Sequence, residues 1–109
     1  MFNIDSKPVF RETVRVPIAG IAGSTTETFQ AAFRLLDIAV FTGFDLSDPA
    51  GVRGLLEQAI VGLDDIVDEA GAAVPYDDAL RDRLIGKLNV RMALVAAYVE
   101  GSVRVAQGN

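Results

Sequence analysis

Apolar and polar side chains alternate from Pro8 to Ile18. Phe10, Val14, Val16 and Ile18 fall on one side, and Arg11, Thr13 and Arg15 on the other. Period-two alternation rich in β-branched residues predicts a strand with one wet face. Glu12 interrupts the apolar side, and Pro17 suits an edge or a strand end. Ala19-Gly-Ile-Ala-Gly-Ser-Thr-Thr26 then predicts a turn. A second strand over about Thr25–Leu35 would put Glu27, Phe29, Ala31, Phe33 and Leu35 on one face. The competing reading is a helix over Glu27–Val40, because Phe29, Ala32, Phe33 and Leu36 also fit helical spacing. The strand is favoured, with a short helical or irregular piece at Leu36–Thr42.

After the connector Phe41–Pro49 the period changes. Val52, Leu55, Leu56, Ala59, Ile60 and Leu63 follow an i, i+3, i+4, i+7 pattern and predict an amphipathic helix. Ser47 or Asp48 is placed to cap it, with Pro49 at its first position. Gly51 and Gly54 weaken it by about 1 kcal/mol each relative to alanine. Gly62 is expected to break or end it. Residues 62–76 then form an acidic turn with a Val74-Pro75-Tyr76 exit, in which Gly71 is expected at positive φ. Asp77 or Asp78 caps a short helix with Leu80, Leu84, Ile85 and Leu88 as its buried stripe. Asn89 is read as the cap of a last helix running to about Val105. Val90, Leu94, Ala97 and Tyr98 share its core-facing side. Met92, Val95 and Val99 lie on a neighbouring side, with Arg91 close by. A helix apolar nearly all round is either the central core helix or one that also meets a partner.

These elements predict an α+β fold in which an N-terminal β-hairpin packs on three to four helices. The 109 residues form one domain, with the hairpin and connector in 1–44 and the helical part in 45–109. A chain of this size buries roughly 65% of its unfolded surface, which leaves little room for an enclosed active site.

Composition narrows the chemistry. There is no cysteine and no histidine, so thiolate chemistry and the usual proton shuttle and metal ligand are missing. The net charge of −5 argues against nucleic-acid binding through a basic surface. Residues 45–82 hold ten acids and two bases, whereas 83–109 hold four bases and one acid. Asp64, Asp65, Asp68 and Glu69 lack calcium-loop spacing. Counted from Asp64, position 3 is Ile66, position 6 is Glu69 and position 12 is Pro75. Ser24, Ser47 and Ser102 have no histidine to activate them. Gly20-Ile-Ala-Gly23 lacks the Gly-Lys-Ser/Thr ending of a phosphate loop. No enzymatic activity, metal or cofactor is expected. The N-terminus lacks signal-peptide character, and the longest apolar run, Met92–Val99, is far short of the ~20 residues of a membrane span. A binding role remains, centred on Met92, Val95, Val99 and Arg91.

One resemblance sharpens this reading. Ile60-Val-Gly-Leu63, Ile66-Val-Asp-Glu-Ala-Gly71, Val74-Pro-Tyr76 and Val90-Arg-Met-Ala-Leu-Val-Ala-Ala-Tyr98 follow one another in an order and spacing that resemble the tail assembly chaperones of long-tailed phages and prophages. The likeness covers roughly residues 52–100 and rests on Gly62, Leu63, Gly71, Pro75 and Tyr76. Leu63 stands where the family has tryptophan, so a buried leucine is expected there. The resemblance implies a non-enzymatic protein of the host bacterial cytoplasm. Such a protein binds the long helical tape-measure protein and keeps it soluble until tail tube protein polymerises around it. Homo-oligomers are an open possibility. The alternative is a small structural subunit of the virion, such as a neck or tail-completion protein. An enzyme with an acidic site at Asp64–Glu69 is the third class.

Overall fold

A computed structural model describes residues 1–108. Strands β1 (Val9–Gly20) and β2 (Gly23–Arg34) form a long antiparallel hairpin closed by Ile21 and Ala22. The alternation read from sequence is the one that folds. Phe10, Val14 and Val16 are buried on one side of β1, opposite Phe33, Phe29 and Glu27 of β2. The strand reading of residues 25–35 therefore holds against the helical one. Every residue from Ala19 to Thr28 is exposed. The hairpin tip thus stands clear of the core, and the molecule is elongated, 51 Å in its longest dimension.

The short helix α1 (Ile38–Thr42) and the connector lead into α2 (Pro49–Ala59). Asp48 is the N-cap. Its Oδ1 accepts from the Ala50 N–H at 3.1 Å, and Pro49 occupies the first turn, where its missing N–H costs nothing. The two glycines of α2 have a packing reason. A Cβ on Gly51 would run into the Asp45 carbonyl, and one on Gly54 would sit 2.8 Å from the Phe44 ring.

The helix stops at Ala59 rather than running on toward Leu63, which corrects the sequence reading. Ile60–Asp64 is a third strand, β3, antiparallel to β2. Gly62 therefore lies within a strand and does not end a helix. Ala31 faces Leu63, Ala32 faces Gly62 and Phe33 faces Ile60, so Val61 is the extra residue of a bulge. A bulge lets two residues three apart reach the same side of a sheet. Ile60 and Leu63 are both buried for that reason, at a spacing that imitates a helix. The sheet is three-stranded, in the order β1-β2-β3, rather than a lone hairpin.

The acidic turn follows. Val67 bridges to Ala73, and the Val74 N–H donates to Ile66 O. Asp68 holds the turn by accepting the N–H groups of Ala70 and Ala72 at 2.9 and 3.0 Å. Gly71 has φ +80°, as its place in the turn demands. Pro75 is exposed and Tyr76 is half-buried against the core.

Asp77 caps α3 (Asp78–Ile85) through Leu80 N at 2.7 Å. The last helix, α4 (Leu88–Ala106), starts after Lys87 and has no side-chain cap. Asn89 lies inside it, where its Nδ2 donates to Pro17 O on β1 at 3.0 Å. Its Oδ1 accepts only from the adjacent Val90 N–H, at 3.0 Å, because the helix has already begun at Leu88. Leu88 begins α4 and is exposed, rather than completing the stripe of α3.

The helices cover one side of the sheet. Val90, Leu94, Ala97 and Tyr98 of α4 join Phe10, Val14, Phe33, Leu55, Leu56 and Leu63 in one continuous core. The opposite side is open and carries the exposed Arg11, Arg15 and Arg34. There Arg11 pairs with Asp64 at 2.6 Å, and Gln30 donates to Thr13 at 3.0 Å. The architecture is α+β, a three-stranded antiparallel sheet with four helices.

Candidate protein-binding groove along α4

Helix α4 buries one side and leaves another apolar side uncovered. Leu88 is 72% exposed, Met92 64%, Val103 51% and Val99 40%, with Val95 half-buried between them. Steps of three and four residues along an α-helix keep these side chains on one stripe. Met92, Val95 and Val99 were already marked by the sequence. Leu88 and Val103 extend the stripe at both ends by the same spacing, and that regularity was available to find them.

The stripe forms one side of two grooves. Near its start, Met92, Val95 and Leu88 face Leu46, Pro49 and Val52 across a hollow of about 340 Å³. Near its end, Val99 and Val103 face Leu36, Ile38 and Phe41 across a hollow of about 360 Å³. The opposite wall is thus α1, the connector and the first turns of α2. Ile38 and Leu46 on that wall are also exposed apolar residues. No local pattern marks this wall, because it takes shape only when the connector folds back along α4.

Two side chains of α4 fix the wall in place. The Tyr98 hydroxyl accepts from the Leu36 N–H at 3.0 Å, at the point where the chain leaves β2 for α1. Its ring stacks on Phe41 at 6.0 Å between centroids and meets Phe33 edge-on at 5.5 Å. Arg91 performs the corresponding task at the other end. Its Nε donates to Ile85 O at 2.8 Å and its Nη1 to Pro49 O at 3.2 Å. Ile85 is the last residue of α3, where a guanidinium is favoured, whereas Pro49 is the first residue of α2. Arg91 therefore ties α4 to the end of α3 and the start of α2 and is half-buried. The structure brings Arg91, Met92 and Val95 to one groove and sets Val99 in the next.

The remaining motif residues lie away from these grooves. Leu63 is 3% exposed beneath the sheet. At Gly62 a Cβ would meet only Ala32 Cβ, at an ordinary 3.8 Å. Gly71, Pro75 and Tyr76 build the acidic turn and its exit. Ile66, Val67 and Asp68 of that turn face Leu80, Arg83 and Lys87 across a separate open cleft. Among the described residues, no three His, Cys, Asp or Glu side chains converge to hold a metal ion.

Asp45, on the connector, holds its carboxyl below the ordinary aspartate range. The cause is the Ser47 hydroxyl, which donates to it at 2.6 Å, followed by the Ser47 N–H at 3.0 Å. This Asx-type turn shapes the lip of the first groove.

No protein-family model matches the chain, and no curated protein or solved structure is similar to it at a significant level. Among the described residues, no helix is long and apolar enough to cross a membrane.

Proposed function

We propose that this protein is a tail assembly chaperone of a long-tailed phage or prophage, acting in the bacterial cytoplasm on the tape-measure protein. The observation that carries the reading is the uncovered apolar stripe Leu88–Met92–Val95–Val99–Val103 on α4, bordered by apolar grooves. An amphipathic helix laid along such a groove covers its own apolar face and the stripe together. A tape-measure protein is a long succession of such helices before the tube forms around it. The sequence resemblance over residues 52–100 supports the same reading. Its motif residues here are turn and core residues, so they define the scaffold and α4 presents the binding surface.

Co-expression tests the proposal. The chain is produced together with a tape-measure protein, the long, helix-rich product that the proposal requires a neighbouring gene to encode. The expected result is soluble tape-measure protein that co-purifies with the wild-type chain. Met92→Glu with Val99→Glu should abolish this while leaving the circular-dichroism melt of the chain intact. Retention of the partner by that variant would show that α4 is not the site. Finding the chain in purified particles at stoichiometric amounts would favour the structural-subunit alternative instead.

A further inference from the structure

We infer that the exposed end of β2 is a dimerisation edge, on which a second copy of this chain pairs antiparallel about a twofold axis at Thr26. The surface lies apart from the α4 grooves, and the inference does not rest on the chaperone reading. The Leu35 N–H donates to Pro8 O, so the odd-numbered residues of β2 are the ones that exchange hydrogen bonds with β1. The even-numbered residues turn their N–H and C=O groups to the other edge. Gln30 and Ala32 meet Asp64 and Gly62 of β3 there. Beyond Asp64 the chain leaves that edge, with Asp65 at φ +63°. Ser24, Thr26 and Thr28 are left without a strand beside them, and all three are exposed. A row of such backbone groups takes up an extended chain.

The other edges are guarded. On β1, Pro17 has no N–H to offer and its carbonyl is taken by Asn89. A twofold axis at Thr13 would also set Arg11 opposite Arg15, two like charges. Strand β3 is short and bulged. Among Ser24, Thr26 and Thr28 there is neither proline nor charge.

The length of the vacancy, its cross-strand pairs and the hairpin turn all point to a second copy as the occupant. The open stretch, Gly23–Phe29, runs from the turn to the residue before β3 pairing begins. Two copies related at Thr26 therefore fill each other's vacancy end to end. Thr26 faces Thr26, Ser24 faces Thr28, Thr25 faces Glu27 and Gly23 faces Phe29. Hydroxyl pairs of this kind stabilise a sheet, and no like charges stand directly opposite. The two Glu27 side chains are diagonal neighbours about 7–8 Å apart. They are exposed, so salt screens them. The pairing also carries the turn of each hairpin to the end of β3 in the other copy. Ile21 in that turn is fully exposed. A hollow of about 380 Å³ opens where it arrives, lined by Val16, Ile18, Phe29, Ile66, Val67 and Val90 among others. The symmetry makes the exchange reciprocal.

The chain has no cysteine, so single cysteines report the register. Cα atoms of a hydrogen-bonded antiparallel pair lie about 5.5 Å apart, within disulfide reach. Thr26→Cys should form linked dimers under mild oxidation. Residue 24 would lie about 14 Å from its own equivalent, so Ser24→Cys should link at least about tenfold more slowly. Sedimentation equilibrium of the full chain, from micromolar to millimolar concentration, should show a monomer–dimer equilibrium. Thr26→Lys sets two cations on the axis and should weaken it at least about fivefold. Ile21→Asp loses two apolar seats and should weaken it at least about tenfold. Glu27→Gln should tighten it. All three positions are exposed, so circular dichroism should show the fold unchanged. Met92→Glu with Val99→Glu should leave the dimer intact.

A chain that stays monomeric to millimolar concentration overturns the inference. So does a dimer that Thr26→Lys leaves unchanged, or one that Met92→Glu with Val99→Glu dissolves. Equal cross-linking by Thr26→Cys and Ser24→Cys overturns the register and the axis with it. None of these outcomes bears on co-purification with tape-measure protein, so the chaperone reading stands or falls separately.

Discussion

Glu12 of β1 and Arg104 of α4 form an ion pair on the covered side of the sheet, three residues along the helix from Gly101. Glu12 is the residue that breaks the apolar alternation of β1, and its side chain is only 11% exposed. Arg104 is half exposed, at 48%. The carboxylate therefore bears most of the desolvation and depends on its partner. Arg104→Ala should cost about 1–3 kcal/mol, less than a fully buried pair would lose because water reaches the guanidinium. Adding Glu12→Val to that variant should recover stability, since valine completes the run Phe10, Val14, Val16. Urea denaturation of the four proteins of this cycle reads both effects. No recovery in the double variant would mean that Glu12 contributes something other than this pair.

Gly101 makes that approach possible. A Cβ there would lie 2.5 Å from Phe10 Cε2 and 2.7 Å from Glu12 Cγ. Gly101→Ala gains about 1 kcal/mol of helix propensity. Overpacking of the β1–α4 contact costs about 1–3 kcal/mol. The net effect should be destabilising despite the better helix former. A rise in the denaturation midpoint would show that α4 sits farther from β1 than described.

Gly71 isolates the opposite effect. Nothing lies within 4 Å of a Cβ placed there, and φ is +80°. Any penalty is backbone strain without steric clash. Gly71→Ala should cost about 1–2 kcal/mol, and Gly71→Asn less, because asparagine tolerates this region better. Equal melting temperatures for all three proteins would remove the positive φ from the turn.

The fold was legible where the pattern is local, and less so where a distant partner decides. Phe10 to Ile18 read as a strand because alternation needs no tertiary information. The caps Asp48 and Asp77 and the turn glycine Gly71 are equally local. Strand β3 was hidden by its bulge: Ile60 and Leu63, three apart, continue the helical stripe of Val52–Ala59. What ends the helix is the edge of β2 at Gln30–Phe33, which offers ladder partners to Ile60–Asp64. The β-branched pair Ile60-Val61 ahead of Gly62 was the only local sign. Asn89 likewise looks like a cap, but the helix already begins at Leu88, and its Nδ2 donates instead to Pro17, 72 residues away. In the groove, the α4 stripe was visible as surplus apolar positions. Its wall at Ile38, Phe41 and Leu46 was not, because Tyr98 and Arg91 position it through long-range bonds.

The connector should register acid in a defined direction. Asp45 titrates below its ordinary value because Ser47 donates to the ionised form. A carboxyl with a depressed folded pKa adds stability above its unfolded pKa, about 3.9, and loses it as pH falls through the folded value. The Asp45 turn should therefore open only below about pH 4. Ser47→Ala removes the hydroxyl bond and keeps the backbone one, so the midpoint should rise toward the ordinary value. Carbon-13 NMR of the Asp45 carboxyl follows both. An unchanged midpoint in Ser47→Ala would place the cause elsewhere.

Leu63 and Met92 provide the contrast that separates scaffold from surface. Both belong to residues 52–100, on which the proposed chaperone reading draws, and both are unbranched at Cβ and similar in size. Leu63 is 3% exposed and lies opposite Ala31 beneath the sheet, whereas Met92 is 64% exposed. Leu63→Ala removes buried methyl groups and leaves a cavity that the bulged strand cannot easily close. Its cost should be about 2–5 kcal/mol. Met92→Ala removes atoms that already face water and should cost no more than about 0.5 kcal/mol. Binding should show the reverse order: Met92→Ala weakens capture of a helical partner, while any Leu63→Ala protein that remains folded binds as before. Denaturation and anisotropy on the same two proteins test both halves. A large stability loss in Met92→Ala would make the α4 stripe part of the core. A negligible loss in Leu63→Ala would remove β3 from the core.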